Sequence, residues 1–244
     1  MSGHSKWATI KRKKGAADAK RGQAFTKLAN AIAAAARDGS DPDMNFRLRL
    51  AIDQAKTANM PAANIERSIA RGSGQLKGQQ IEEVTYEGYA PGGVAVIVKA
   101  ATDNKNRTLP EVRTAFSKHG GNLAAAGAVA YQFEPKGVIQ LEPADMEAAS
   151  LAAIDAGAAD VEADDGTLTI YTKPRELNRV KSQLEAAGYQ PASVDLSFVP
   201  KQTAPVNDPE AARKILALMD ALDALDDVTA TYANFDIPVE LLES

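Results

Sequence analysis

The residues of this chain best suited to chemistry are cations, and they are concentrated at its start. Residues 1–27 contain eight Lys and Arg side chains and a single acid, Asp18. Clustered Lys and Arg neutralise phosphates and release counterions, which gives affinity for nucleic acid of any sequence, and an indole among them can stack on a base. A solvated tail that only aids solubility is the alternative interpretation. The segment from Lys6 to Lys27 is thus a candidate nucleic-acid contact, and the residues expected to form it are His4, Lys6, Trp7, Lys11, Arg12, Lys13, Lys14, Lys20 and Arg21.

The charge of the chain is distributed unevenly. The net charge of −4 would by itself argue against a protein that binds nucleic acid. However, residues 1–75 contain 14 basic and 6 acidic residues, whereas residues 76–244 contain 14 and 26. Such asymmetry is typical of a basic arm that contacts nucleic acid and is attached to an acidic body.

The polar run Thr-Asp-Asn-Lys-Asn-Arg-Thr at residues 102–108 is a second candidate contact. It connects a predicted strand to a predicted helix, so Asn104, Asn106 and Arg107 could bind a phosphate together with the helix N-terminus. Ordinary turn and capping chemistry is the competing interpretation, because Asn and Asp favour turns.

Two shorter motifs are open to similar alternatives. Lys118 and His119 precede Gly120-Gly121 and form either a plain helix end or a further contact with nucleic acid. The run Tyr-Glu-Gly-Tyr-Ala-Pro-Gly-Gly at residues 86–93 lacks the spacing of a phosphate loop. It is interpreted as a hairpin turn, on which an exposed Tyr89 could serve recognition.

Signatures of catalysis and of metal binding were sought and not found. The sequence has no GxSxG, no HExxH and no GxGxxG after a predicted strand. It contains no Cys and two His, which excludes thiolate zinc sites, disulfides and multi-histidine metal sites. The acidic run around Asp220, Asp223 and Asp227 is interpreted as a solvated helix face. We predict a non-enzymatic protein that uses no cofactor and no small-molecule substrate.

Targeting signals are also missing from the sequence. No run approaches the roughly 20 apolar residues that span a bilayer, and the N-terminus lacks the apolar core of a secretory signal. Residues 1–22 are basic and poor in acids, as in a transit peptide, but they lack apolar residues at helical spacing. We expect a cytoplasmic monomer with no membrane partner.

The elements that must position the candidate residues begin with helices. From Phe25 to Ala36 the apolar residues recur at i, i+3, i+4 and i+7, which predicts an amphipathic helix. Two shorter helices follow within residues 23–71, and Pro61 suits the first turn of the last one. With the basic tail, these helices form the first predicted domain, residues 1–75.

The remainder of the chain alternates strands and helices. Residues 81–134 predict two strands joined by a turn, a helix that starts at a capping box of Thr108 and Glu111, and a strand at residues 129–133. Residues 136–200 predict the order β-α-β-β-α-β of a ferredoxin-like unit. Residues 206–244 add the helix and the strand that residues 81–134 lack.

This order predicts an α+β multidomain protein, with an N-terminal helical bundle and two ferredoxin-like α/β domains. One α/β domain is discontinuous and consists of residues 81–134 with 206–244. The other, residues 136–200, is inserted into it.

Five motifs, taken together and in order, resemble those of the YebC/PmpR family, to which a mitochondrial translational activator of cytochrome oxidase subunit one is related. The likeness extends from residue 2 to the last predicted strand. Ala90 departs from the family pattern, which has Gly there. The motifs are Gly3-His4-Ser5-Lys6-Trp7, Asn59-Met60-Pro61, Tyr86-Glu87-Gly88-Tyr89, Thr102-Asp103-Asn104 with Asn106-Arg107-Thr108, and Lys118-His119-Gly120-Gly121-Asn122.

The resemblance implies a helical N-terminal domain with two α/β domains, and two possible functions. Members of the family are described as DNA-binding transcriptional regulators. They are also described as translation factors on the ribosome, which would bind ribosomal RNA and relieve stalling on difficult sequences such as proline runs. The chain has no clear helix-turn-helix signature, which weakens sequence-specific readout of DNA. The nucleic acid that the arm contacts, DNA or ribosomal RNA, therefore stays open at this point.

Overall fold

The computed structural model describes residues 19–76, 80–238 and 241. The first part is a bundle in which the longest helix packs against the other two, around the buried side chains of Ile32, Leu48 and Ala55. Asn45 closes the turn between the first two helices, because its carbonyl caps Leu48 N and its amide donates to the carbonyls of Ala35 and Gly39. The helices are α1 (Ala19–Ala36), α2 (Phe46–Thr57) and α3 (Ala62–Gly72).

The second part is an antiparallel sheet with two helices on one face. Its elements are β1 (Glu82–Ala90), β2 (Val94–Thr102), α4 (Lys105–Lys118), β3 (Asn122–Leu123), α7 (Pro209–Asp223) and β9 (Val228–Ala233). The strands are ordered β3-β1-β2-β9, and the two helices cover a core that includes Val96, Phe116, Ile215 and Leu222. Four antiparallel strands and two helices also form the layers of a ferredoxin-like unit, but here the first two strands are the central hairpin of the sheet, and the last helix and edge strand come from the C-terminal part of the chain.

The third part lies between β3 and α7 in the chain and has the predicted β-α-β-β-α-β order. Its elements are β4 (Phe133–Leu141), α5 (Met146–Asp155), β5 (Asp160–Asp164), β6 (Thr167–Thr172), α6 (Leu177–Ala186) and β7 (Ser193–Pro200). The strands are ordered β5-β6-β4-β7, and all neighbours are antiparallel. Asp165 and Gly166 both have positive φ, of 44° and 76°, in the tight hairpin that joins β5 to β6.

The predicted α+β fold class is confirmed: a helical bundle is followed by two units of helices on an antiparallel sheet, one inserted in the other, and the inserted one has the ferredoxin-like strand order. We refer to them as the bundle, the host unit and the inserted unit. The bundle packs against the host unit, where Ala33 and Ala34 of α1 meet Ile81 and Ala101. A short parallel pair, β8 (Ala204–Pro205) with β10 (Phe235–Asp236), joins the chain that returns from the inserted unit to the end of the host unit.

Three local predictions were wrong. Helix α4 starts at Lys105 with Asn104 as its N-cap, so Thr108 is already inside the helix and forms no capping box. Residues 129–132 are not a strand, since a 3-10 turn occupies Ala130–Gln132 and β4 starts at Phe133. That strand therefore passes through the boundary expected between residues 134 and 136. The last predicted strand is interrupted at Asn234, whose side chain accepts a hydrogen bond from Ala95 N.

Candidate nucleic-acid interface

Most of the predicted arm lies outside the described residues: His4, Lys6, Trp7, Lys11, Arg12, Lys13 and Lys14. Lys20 and Arg21 belong to the first turn of α1, but their side chains also lie outside the description. What the structure places is the base of the arm, which is the start of α1. The arm's contact with nucleic acid remains a prediction.

The base of the arm is fastened to the end of helix α7. Side chains at three positions of α1, spaced i, i+4 and i+7, donate to main-chain carbonyls there. Gln23 donates to Ala224 O, Lys27 donates to the carbonyls of Asp223 and Val228, the latter at 2.8 Å, and Asn30 donates to Asp226 O at 3.4 Å. The last carbonyls of a helix have no partners within it and carry partial negative charge, so a lysine ammonium is well placed there. Lys27 therefore serves the packing of bundle and host unit, although the sequence counted it with the arm.

A buried carboxylate lies next to this junction. Asp227, whose side chain is 6% exposed, accepts hydrogen bonds from the hydroxyls of Thr102 and Thr108, and Nη2 of Arg107 donates to both of its carboxylate oxygens, all at 2.6 to 2.9 Å. The interpretation of Asp227 as part of a solvated helix face was therefore wrong. Arg107 also contacts Asp103 at 3.3 Å. Asp103 in turn accepts from Arg71 of α3 at 2.8 Å. The bundle and the host unit are thus joined by a continuous chain of charged hydrogen bonds.

These hydrogen bonds keep Asp227 ionised. Burial raises the pKa of Asp227, but hydrogen bonds from Thr108, Arg107 and Thr102 outweigh burial, and the pKa lies below its ordinary value. The same contact with Asp227 raises the pKa of Arg107. The pair is therefore a fixed ion pair, and it would persist throughout the neutral range of pH.

The second candidate motif, residues 102–108, is largely occupied by such internal contacts. The side-chain oxygen Oδ1 of Asn104 caps helix α4 by accepting from the backbone N–H groups of Asn106 and Arg107, at 3.1 and 3.2 Å. Lys105 pairs with Glu82 on β1. Among the three predicted contact residues of this motif, Asn106 has an exposed side chain with no hydrogen bond in the described part of the chain. Turn and cap chemistry, the competing interpretation, accounts for the geometry of Asn104.

The third candidate, Lys118 with His119, lies at the opposite end of the same helix. A helix of 14 residues is about 21 Å long, so the structure does not bring this pair together with Asn104 and Arg107. The pair adjoins the start of α7 instead, where a Cβ on Gly120 would lie 3.8 Å from the Lys214 side chain. Lys118 is exposed and makes no ion pair within the described residues.

Helices α2 and α3 have the connection length of a helix-turn-helix. Four residues, Ala58 to Pro61, separate them, and in that motif the second helix lies in the major groove of DNA. The exposed residues on the first turns of α3 are Ala62, Ala63, Glu66 and Arg67. One cation balanced by one carboxylate offers little attraction to phosphate, so α3 is a weak candidate for reading bases.

Glu87, which binds the backbone of a loop of the host unit, was not recognised from the sequence. Glu87, 6% exposed, accepts backbone N–H groups of Gly127, Val129 and Ala130 at 2.7 to 2.8 Å. Burial raises the pKa of Glu87, but these three hydrogen bonds outweigh burial and the pKa lies below its ordinary value. No spacing rule points to this arrangement, because its two parts are 40 residues apart in the chain. The Glu-Gly-Tyr motif had been interpreted as part of a hairpin turn.

A cleft of about 750 Å³ separates helix α2 from the inserted unit. Its walls carry both charged and apolar groups, among them Lys56, Tyr171 and Lys181. Asp195 lines its edge, and burial raises the pKa of this carboxyl to about 6, although hydrogen bonds from Leu196 N and Gln54 act in the opposite direction. Gln54 also donates to Val194 O at 3.1 Å and is the polar link across the cleft.

Across residues 19–76 and 80–238, His, Asp and Glu side chains form no group of three that could hold a metal ion. No helix in the same part of the chain has the length and apolar character needed to cross a bilayer.

The bundle, the host unit and the inserted unit together define a three-part α+β protein with a basic arm at its start. The chain belongs to the TACO1/YebC family. Residues 5–75 match the N-terminal domain of the family, and residues 81–235 match its second and third domains.

Similar proteins occur in several bacteria. A protein of Aquifex aeolicus is 51% identical over 246 residues, which are 100% of this chain and 99% of the relative. One from Treponema pallidum is 53% identical over 245 residues, covering 99% and 100%. Both are named probable transcriptional regulatory protein. The crystal structure of a conserved hypothetical protein from Aquifex aeolicus is 50% identical, with a TM-score of 0.86 over 93% of this chain and 95% of that one.

Proposed function

We propose that this chain is a non-enzymatic regulator of gene expression that binds DNA through its basic arm. The observation that supports this most is the charge distribution. Residues 1–75 have a balance of +8, whereas residues 76–244 have a balance of −12. An acidic body repels phosphate, so contact with nucleic acid is expected to be local and to occur at the arm. The names of the relatives, probable transcriptional regulatory proteins, support the same assignment.

The arm is tested by removing its central charges. We expect Lys11→Ala, Arg12→Ala, Lys13→Ala and Lys14→Ala, combined in one variant, to weaken binding to any duplex. The magnitude of the slope of log K against log salt should fall by up to about 3.6, because each of the four phosphate contacts contributes about 0.9. Fluorescence anisotropy with a labelled duplex at several salt concentrations measures both quantities.

A matched control removes four cations elsewhere. Arg67, Lys173, Arg175 and Arg213 are exposed and make no ion pair among the described residues. Changing them to Ala removes the same charge, so the net charge alone cannot explain a difference between the two variants. An unchanged salt slope in the arm variant would show that the contact lies elsewhere.

Sequence-specific regulation predicts a preference for particular duplexes. Duplexes from promoters should compete for the protein better than random duplexes of equal length, because base contacts add to the phosphate contacts. Equal competition by both sets would reduce the interaction to electrostatics and would contradict a regulator that selects its genes by sequence.

The second candidate function is a translation factor whose arm binds ribosomal RNA. The exposed face of α3 favours this candidate, since Glu66 and Arg67 offer no cationic surface for the major groove. Sedimentation of lysate through sucrose at low and moderate salt tests it. Absence of the protein from ribosomal fractions at both salts would exclude the translation role, and co-sedimentation at both would favour it over promoter binding.

A further inference from the structure

One aromatic side chain is held outward on a rigid part of the host unit. Tyr131 is 67% exposed, although the residues on either side of its 3-10 turn, Val129 and Phe133, are almost completely buried. They pack against Ala95 and Ile97 on the sheet. Its hydroxyl makes no hydrogen bond within the described residues. The ring therefore stands in solvent between two anchors.

The loop that leads to Tyr131 is fixed by the motif Glu87-Gly88-Tyr89. The Glu87 carboxylate accepts three backbone N–H groups of residues 127–130, and its own carbonyl accepts from Ala124 N at 2.8 Å. The Tyr89 hydroxyl donates to Ala128 O at 2.9 Å. At Gly88 a Cβ would lie 2.7 Å from the carbonyl oxygen of Asn122, so a larger residue would push the loop away. Each residue of the motif therefore supports this loop.

A free cation adjoins the same turn. The backbone N–H of Lys201 donates to Gln132 O at 2.8 Å, where the chain returning from the inserted unit passes beside the chain entering it. Asn234 links these two segments. Its side-chain amide donates to Gln132 Oε1 at 3.2 Å, and its backbone carbonyl accepts from Ala204 N at 2.7 Å. The Lys201 side chain is exposed and makes no ion pair within the described part of the chain.

We propose that Tyr131 and Lys201 form a second contact with nucleic acid, in which an unpaired base stacks on the ring and the adjoining phosphate pairs with the ammonium. An exposed aromatic ring with a cation beside it is the combination used by proteins that bind single strands. A fixed loop adds affinity, because the ring loses little freedom on binding. A base in a duplex is already stacked, so the ligand is single-stranded. This inference rests on the proposed function, since it assigns a second contact with the same class of ligand.

Binding of short labelled strands to the full chain tests the proposal. Single-stranded DNA, single-stranded RNA of the same sequence and the matching duplex are compared by fluorescence anisotropy. Tyr131→Ala should weaken binding of a single strand about fivefold or more and leave binding of the duplex unchanged. Tyr131→Phe and Tyr131→Trp keep the ring and should bind as the wild type does.

Lys201→Ala should lower the salt slope for a single strand by about 0.7, the value for one phosphate contact. Lys173→Ala removes a comparable exposed cation from the inserted unit and should leave that slope unchanged. If Tyr131→Ala affects DNA and RNA strands alike, the contact is with base and phosphate; if it affects one alone, that strand is the ligand.

Two results would overturn the proposal: wild-type binding by Tyr131→Ala, or an equal loss on duplex and single strand. Neither result contradicts the arm as the main contact, provided that the variant with all four arm cations changed to Ala still has a smaller salt slope than the wild type. Conversely, an arm variant that binds as the wild type does would refute the arm as the main contact, while the loss specific to Tyr131 would still be measurable on single strands.

Discussion

Three acidic side chains illustrate how this protein accommodates charge in its interior. Asp227 is paired with Arg107 and with two threonine hydroxyls. Glu87 is surrounded by backbone N–H groups and forms no ion pair within the described residues. Asp195 has weaker support, from Gln54 and Leu196 N, and burial dominates its titration. Because the support differs, the three carboxylates should respond differently to substitution and to pH.

At Asp227 we expect substitution to be severe. Asp227→Ala removes the shared acceptor of Arg107, Thr102 and Thr108, and should lower the free energy of unfolding by about 2 to 4 kcal/mol. The neighbouring Asp226 is exposed, so Asp226→Ala should change the same quantity by less than about 0.5 kcal/mol. Urea denaturation of both variants at neutral pH measures the difference.

The pH dependence of that difference has a defined sign. The pKa of Asp227 lies below its ordinary value in the folded protein. The stabilisation is therefore complete at neutral pH and is lost as the pH falls below the ordinary carboxyl range, about 4. A gap between Asp227→Ala and the wild type that stayed constant into strong acid would contradict the ion pair.

At the scale of elements, helix α2 contacts both the core of the bundle and the inserted unit. Leu48, Ile52 and Ala55 face the core of the bundle. Phe46 packs against the core of the inserted unit instead, and Gln54 donates to strand β7. The helix thus links the bundle to the inserted unit at the cleft. Gln54 also donates a hydrogen bond to the Asp195 carboxyl, so this contact depends on the charge of Asp195.

Asp195→Asn should stabilise the protein at neutral pH. Burial raises the pKa of Asp195 to about 6, so the wild type is most stable when this carboxyl is protonated and loses stability as the pH rises through about 6. Asn resembles the protonated form, and the gain at pH 7.5 should be on the order of 2 kcal/mol. The gain should vanish below pH about 4, where the carboxyl is protonated in both states. Urea denaturation across this pH range measures it.

The control for Asp195 is Asp160. Each carboxylate accepts a hydrogen bond from the next backbone N–H, at 2.8 Å for Asp195 and 2.9 Å for Asp160. Asp160 lies exposed on the edge strand β5. Asp160→Asn should therefore leave the stability profile unchanged, and an identical gain in both variants would show that burial is not the cause.

At the scale of the whole molecule, a basic arm starts beside an acidic surface. Gln23 at the base of the arm donates to Ala224 O, and Asp220 and Asp226 are exposed on the same end of helix α7. These carboxylates repel the phosphates that the arm attracts, with a range of about 10 Å at 0.1 M salt. These carboxylates therefore keep nucleic acid that is bound to the arm away from this end of helix α7.

Removing part of this repulsion should strengthen binding. Asp220→Asn with Asp226→Asn should raise affinity for a duplex several-fold at low salt, mainly by faster association, and the gain should disappear at high salt. Asp160→Asn with Asp164→Asn makes the same change of net charge on the inserted unit. Equal effects of the two pairs would show that net charge, rather than proximity to the arm, sets the affinity. Stopped-flow association at several salt concentrations distinguishes the two.

Much of this architecture follows from the sequence because its signals are local. Apolar periodicity predicted the helices of the bundle, and alternation with a short turn predicted the β5–β6 hairpin at Asp165 and Gly166. Chain order alone predicted the insertion of one α/β unit in another. The basic arm is also a property of the sequence, since it needs only composition.

Only the tertiary structure determined which partners particular polar residues bind. Arg107 and Asp227 are 120 residues apart in the chain, and Glu87 and Gly127 are 40 apart, so neither partnership has a spacing that periodicity could reveal. Asn104 looked suited to phosphate and caps a helix; Tyr131 looked like part of a strand and stands in solvent. The role of a polar side chain depends on the donors and acceptors that folding brings within about 3 Å of it, and these partners can come from any part of the chain.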